Sequence, residues 1–271
     1  MKKLLAVDLD GTLLTTNKQV SEGNLQAIHE LTEAGHYFAF ATGRPVQSAI
    51  TIARRYGFDR LSHFYIIAYN GALLYNCYGH KTIDTLPMKR EDARMILDEA
   101  ARQNVHCHTY DRHYVLSERD TEELRLYTQI IGIPPKLVKD ASASEDAPPL
   151  KVICADLHDR SRLERLKQTL APKTDGRLES VFSSDMLLEY SALGADKGYG
   201  ILRLCRILGV SPENSVAAGD QENDLSMMEK TGFSFAMANA VDSVKAAASA
   251  VTEQDNDHDG IAEIIHKYLL S

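Results

Sequence analysis

The chain has 271 residues, is 44% hydrophobic and 25% charged, and carries a formal net charge of −8. That is ordinary for a soluble globular protein with a full core, enough for one large domain or two modest ones. No basic stretch offsets the acidic balance, which argues against a nucleic-acid surface, and no window approaches a membrane span. Cys77, Cys107, Cys154 and Cys205 are scattered without a C-x-x-C pair, fitting reduced thiols rather than a disulfide framework or a zinc site. The opening Met-Lys-Lys-Leu-Leu has the look of a signal peptide, but Asp8 ends the apolar run too early. A cytoplasmic protein is expected, with no membrane association and no obligate protein partner.

Lys3-Leu4-Leu5-Ala6-Val7 runs straight into Asp8-Leu9-Asp10-Gly11-Thr12, a buried strand that ends at a turn. Asp8 and Asp10 are two apart and project the same way if the strand geometry persists. Paired carboxylates are costly unless a cation or a shared proton offsets them, so the stretch suggests a divalent metal beside an acidic nucleophile. Ser21 caps a helix through about Ala34; strand Tyr37–Ala41 ends at Thr42-Gly43-Arg44-Pro45; a helix follows to about Gly57, then strand Phe64–Ala68, ending at Asn70-Gly71. Apolar strands alternating with helices argue for a parallel sheet covered on both faces.

The middle of the chain changes character. Leu73–Tyr75 and Lys81–Thr85 form a hairpin, a helix runs from about Arg90 to Gln103, and short strands pair at Val105–Tyr110 and Tyr114–Leu116. Pro134-Pro135 and the stretch Lys139–Pro149 read as loop, followed by strand Val152–Ala155, a helix from about Asp159 to Leu170 and two short strands to Glu189. From Lys197 the strand–helix rhythm returns, with strands Ser215–Ala218 and Phe233–Ala236. The expected fold class is α/β: a Rossmann-like parallel-sheet core, residues 1–82 and 190–271, split by an inserted α+β domain over 83–189.

Ligands of open parallel sheets sit at the carboxyl ends of the strands. Thr42-Gly43 lies there with a hydroxyl, a glycine N–H and the next helix N-terminus. Lys197 starts a helix, where an ammonium opposes the macrodipole and structure alone does not ask for it. In Gly219-Asp220-Gln221-Glu222-Asn223-Asp224 the two aspartates are four apart, which brings them to one side. Singly, Thr42 and Asp224 read as helix caps, Lys197 as a solvated charge and Asp220 as a turn former. Together, at strand ends and helix starts, they read as a phosphate site.

These four stretches resemble, in order, the motifs of the haloacid dehalogenase superfamily. With Ala41-Thr42-Gly43-Arg44-Pro45, Asn70-Gly71-Ala72 and Gly194-Ala195-Asp196-Lys197-Gly198, the chain looks like the Cof-type branch, subfamily IIB. Tyr69 departs from that pattern, since relatives more often carry a small or polar residue before Asn-Gly. The resemblance implies that the insertion is a C2-type cap that confers selectivity, its polar lining drawn from His106, His108, Tyr110 and Arg112. It implies Mg2+-dependent hydrolysis of small phosphate monoesters, such as sugar phosphates, with Asp8 as the nucleophile that becomes an aspartyl-phosphate. Asp10 would be the acid and base, its pKa raised by like charge and burial. Mg2+ would be held by Asp8, the Asp10 backbone carbonyl and Asp220, with Asp224 orienting its waters. Thr42, Gly43 and Lys197 would neutralise phosphoryl oxygens, and Asn223 would hold substrate or phosphate.

Other readings use the same residues. A phosphomutase or phosphotransferase would return the phosphoryl group to a sugar, and a receiver-type phospho-acceptor or phosphate-binding regulator would hold it without turnover. The receiver reading suffers because an acidic loop follows Lys197 here. Asp255-Asn256-Asp257-His258-Asp259-Gly260 matches the first half of an EF-hand loop, but its twelfth position is His266 rather than glutamate. The branch has a similar acidic loop beside its active site, and Asp259 is expected to cap the last helix.

Overall fold

The computed structural model describes residues 1–144 and 148–270; part of the Lys139–Pro149 stretch read as loop, and Ser271, lie outside them. The chain divides into two compact units, Met1–Asp84 with the chain from Asp196 onward, and Thr85–Ala195. The sequence placed the joints after 82 and 189. They fall later because the strand Lys81–Thr85 belongs to the first sheet and Leu187–Ala192 runs on in the second.

In chain order the first unit opens with β1 (Leu4–Val7), α1 (Glu22–Glu33), β2 (Tyr37–Ala41), α2 (Val46–Arg55), β3 (Phe64–Ala68), β4 (Leu73–Asn76) and β5 (Lys81–Thr85). The second unit comprises α3 (Arg90–Arg102), β6 (His106–Tyr110), β7 (Val115–Ser117), α4 (Glu122–Ile131), β8 (Pro135–Leu137), β9 (Lys151–Ala155), α5 (Arg160–Thr174), β10 (Leu178–Ser184) and β11 (Leu187–Ala192). The chain then returns through α6 (Lys197–Leu208), β12 (Ser215–Gly219), α7 (Leu225–Lys230), β13 (Phe233–Ala236), α8 (Asp242–Ala247), β14 (Ala250–Val251) and α9 (Gly260–Ile264). Among the described residues no helix is long and apolar enough to cross a membrane.

The first sheet has the order β14-β13-β12-β1-β2-β3-β4-β5, parallel from β14 to β3, with β4 antiparallel to β3. Every residue of β1 is buried, as expected of a central parallel strand covered on both faces. Phe38 and Phe40 fall two apart on β2 and so share a face, where they meet Phe58 and Phe64. The rings of Phe40 and Phe64 cross edge to face at 4.7 Å, and Phe40 and Phe58 do so at 5.6 Å. Ser21 starts α1 as its sequence suggests, accepting from the Asn24 N–H.

The second unit's sheet has the order β10-β11-β9-β6-β7-β8 and is antiparallel except where β7 pairs with β8. Helix α4 has no counterpart among the predicted elements, although Thr121 caps its start through the Leu124 N–H and Gly132, at φ 69°, ends it. Pro135, read as loop, instead opens β8. An edge strand tolerates proline at its first position because one flank needs no ladder donor.

Each of the four phenylalanines in the cluster of Phe38, Phe40, Phe58 and Phe64 has no exposed surface. Phe58→Ala should lower stability by about 3–5 kcal/mol, read as a shift in the denaturant midpoint at constant slope.

Candidate active site

Strands β1, β2 and β12 lie side by side, so the residues that follow them meet at one edge of the sheet: Asp8, Thr42 and Asp220. Asp8 remains in register with β12, its N–H donating to the Ala218 carbonyl at 3.0 Å. Asp8, Asp220 and Asp224 each place a carboxylate oxygen within 4.8 Å of the others, and all three are buried. Lys197, wholly buried at the start of α6, bridges two of them, with Nζ 2.7 Å from Asp8 Oδ1 and 2.6 Å from Asp224 Oδ1. Its helix start is fixed by Asp196, which caps α6 through the Tyr199 N–H at 2.8 Å.

The other Asp224 oxygen accepts from the N–H groups of Asp220 (2.9 Å) and Gln221 (3.1 Å). The four-residue spacing seen in the sequence therefore closes a turn as well as an acidic pair. Asp220 is held from the other side by the Thr12 hydroxyl, which donates to Oδ1 at 2.7 Å. Gly11, at φ 83°, lets Asp220 pack directly against its backbone, where a side chain would clash. Asn223 is half-buried on the same turn. Thr42 is buried, its Oγ1 accepting from the Arg44 N–H at 3.1 Å, and Gly43 lies against the side-chain amide of Asn70.

Asp10 is not part of this cluster. Its carboxylate is gripped by the Arg44 fork, Nε to Oδ2 and Nη2 to Oδ1 both at 2.7 Å, and by Lys18 Nζ at 2.8 Å. The expectation of a raised pKa is reversed. Burial alone would raise it, but the hydrogen bonds and charges of Arg44 and Lys18 outweigh burial and pull it down to about 2. Sequence reasoning gave Arg44 and Lys18 no role; the adjacency of Arg44 to Thr42-Gly43 was the available signal.

Asp8 has the opposite environment. Desolvation pushes its pKa up to about 7, Lys197 restrains the rise, and Asp224 and Asp220 add to it. Burial likewise lifts Asp220 to about 6, against the Thr12 hydrogen bond and with the help of the Asp224 charge. Burial disfavours charge on Lys197 too, but Asp224 and Asp8 override it and hold the ammonium above the ordinary lysine range. Three buried carboxylates facing one buried ammonium leave negative charge in excess, and every available donor is a hard oxygen. That donor set fits Mg2+, which favours carboxylate oxygens.

The acidic loop also reaches this region, though not as an EF-hand. Asp257 accepts from the Thr16 N–H at 2.8 Å and hydroxyl at 2.6 Å, while the Asn256 amide donates to the Leu14 carbonyl at 3.0 Å. Asp259 stands at the N-cap position just before α9 but makes no side-chain cap; its carboxylate takes the Ser21 hydroxyl instead. In the second unit His106, His108 and Tyr110 are buried and bonded among themselves rather than presented as a lining. His106 spans Thr121 Oγ1 and His108 at 2.9 Å each, and the Tyr110 and Tyr127 hydroxyls meet. Arg112 is exposed.

A family model for haloacid dehalogenase-like hydrolases matches residues 5–265, and the chain belongs to that family. It is 30% identical over 277 residues to Bacillus subtilis YxeH, covering all of both chains. It is 28% identical over 275 residues to the Escherichia coli pyridoxal phosphate phosphatase YbhA, covering 99% of each. A haloacid dehalogenase-like hydrolase from Bacteroides thetaiotaomicron superposes with a TM-score of 0.88 at 26% identity, over 98% of this chain and 99% of that one. Family, fold and relatives make the chain a phosphoric monoester hydrolase.

The raised pKa of Asp8 sets a pH dependence. Between about pH 4 and pH 7 the folded protein keeps a proton that the unfolded chain has lost, so stability falls as pH rises through that window. In chelator, Asp8→Asn should therefore be more stabilising at pH 8 than at pH 4.5 in parallel urea titrations. Equal effects at both pH values would show that Asp8 ionises freely.

Proposed function

We propose that this hydrolase cleaves small phosphate monoesters, sugar phosphates or similar metabolites, with Mg2+ and through a phosphorylated Asp8. The buried cluster of Asp8, Asp220, Asp224 and Lys197 carries the reading, because it pairs a carboxylate nucleophile with excess negative charge that a divalent cation would balance. Asp8 and Asp220 would hold the ion, while both oxygens of Asp224 are already engaged by Lys197 and the 220–221 backbone. When bound, Mg2+ would supply charge neutralisation at the phosphoryl oxygens and at Asp8.

Lys197 holds Asp8 Oδ1 and so fixes the carboxylate's orientation toward an incoming phosphorus. A carboxylate oxygen of Asp8 forms the new P–O bond as the alcohol oxygen departs, and water later cleaves the acyl phosphate to regenerate Asp8. The Thr42 hydroxyl, the Gly43 N–H, the Lys197 ammonium and the Asn223 amide are the groups assigned to the phosphoryl oxygens. Asp10 would give the leaving alcohol its proton and take one from water. As placed here it is a poor acid, since Arg44 and Lys18 stabilise its anion. A phosphate dianion attracts the same two cations, and drawing them off returns Asp10 toward a pKa at which it carries a proton.

Release of inorganic phosphate from a panel of phosphorylated sugars and cofactors is the direct test. Hydrolysis should require Mg2+, cease on chelation and fall roughly a thousandfold or more in Asp8→Asn. Transfer to a sugar hydroxyl without phosphate release would identify a phosphomutase instead.

Asp10→Asn should slow alkyl phosphates far more than aryl phosphates, because only a poor leaving group needs its proton in the transition state. Equal losses, measured as kcat/KM on matched alkyl and aryl substrates, would remove Asp10 from the acid role.

A further inference from the structure

Between β3 and β4 the backbone passes through three consecutive left-handed residues, Tyr69 (φ 52°), Asn70 (φ 52°) and Gly71 (φ 94°). Glycine takes that conformation without strain and asparagine tolerates it, but a buried tyrosine there is an outlier. Strain of this kind persists only where the surroundings over-determine it. The surroundings here are the two segments assigned to phosphate.

On one side the turn clasps the loop after β2. The Asn70 N–H donates to the Thr42 carbonyl at 3.0 Å and the Tyr69 N–H to the Arg44 carbonyl at 3.1 Å. In a trans peptide the C=O and the following N–H point in opposite directions. Holding the Thr42 carbonyl toward Asn70 therefore aims the Gly43 N–H away from the turn. The Asn70 amide also lies against Gly43, where a β-carbon would come within 2.8 Å of its Oδ1. The Tyr69 hydroxyl donates to Gln47 on α2 at 3.3 Å and so ties the turn to the helix behind that loop.

On the other side Gly71 rests on the backbone of Asp196, the residue that caps α6 and precedes Lys197; a β-carbon at Gly71 would collide with the Asp196 carbonyl. Gly200, one turn further along α6, leaves 3.0 Å between a β-carbon of its own and Gly71 Cα. The Gly71 carbonyl accepts from Arg203 Nη1 at 2.9 Å, and the Nε of that arginine pairs with Asp84 at 2.7 Å.

We propose that Tyr69-Asn70-Gly71 is a positioning turn that holds the Thr42-Gly43-Arg44 loop and the Lys197 end of α6 in one register for the phosphoryl group. Asn70 sets the direction of the Gly43 N–H and Gly71 sets the seat of Lys197; none of the three residues touches the reacting atoms. The inference rests on the phosphatase reading above, in which these two segments bind phosphate.

The test compares Asn70→Val, which disfavours the left-handed conformation, with Asn70→Gly, which keeps it. Competitive inhibition by inorganic phosphate, KM for an aryl phosphate, the Mg2+ concentration for half-activation and the melting temperature are measured for each. Asn70→Val should weaken phosphate inhibition and raise KM roughly ten- to a hundredfold, with half-activation by Mg2+ unchanged. Asn70→Gly should recover most of that loss. Should Asn70→Val fail to fold, Asn70→Ala carries the same comparison with a smaller backbone penalty. Folded variants that keep wild-type phosphate inhibition overturn the positioning role alone. Wild-type protein that neither hydrolyses the ester nor binds phosphate overturns the phosphatase reading and this inference with it.

Discussion

The ammonium of Lys197 is the contact on which the site depends. It reaches Asp8 and Asp224 at once, from a helix start whose dipole disfavours a cation. Its partners repay that cost. Without it three carboxylates would share a space from which water is largely removed, and their repulsion would be met by taking up protons. With it, Asp8 stays close enough to neutrality to ionise when further positive charge arrives. The surrounding order follows from this contact: Asp196 fixes the helix start, Asp224 closes the turn after β12, and Thr12 holds Asp220 against the loop after β1.

Two aspartates separated by one leucine thus acquire opposite characters. Asp8 lies buried among like charges, and Asp10 lies under an arginine fork and a lysine. The difference comes from partners brought together by the fold, and spacing alone does not encode it. Placing the two carboxylates two residues apart at a strand end lets one turn of backbone supply both environments, the unlike pair that the proposed nucleophile and proton carrier would need.

Much of the first sheet was legible because its strands are short apolar runs closed by glycine or charge. Tyr37–Ala41 and Phe64–Ala68 have the boundaries their composition suggests. Helix α4 was harder to see: its leucines and isoleucines are interleaved with exposed charge, and two prolines follow closely. β14, with two residues, lies below what a pattern can resolve. Within the site, the convergence of Asp8, Asp220, Asp224 and Lys197 was readable from strand ends and helix starts. The grip of Arg44 and Lys18 on Asp10 was not, because side-chain reach across loops leaves no periodic trace. The histidines of β6 show the same limit. Their alternation marks a shared face, but only the packing of α4 decides that Tyr127 covers that face.

The acidic loop's hold on Thr16 has a consequence for how the protein is made. Asp257 and Thr16 are 241 residues apart in sequence, yet their hydrogen bonds help shape the loop that follows β1. β1 itself lies between β2 and β12, so half of its ladder is synthesised long after it leaves the ribosome. The intervening unit, with its own sheet, is made before that partner exists. Until Lys197 and the 220–224 turn have been made, the nascent chain therefore carries a strand-end aspartate that has neither its lysine nor its acidic neighbours. Long-range closure of this kind slows folding, and in return it makes assembly of the buried acidic cluster a report that the segment carrying β12 has arrived.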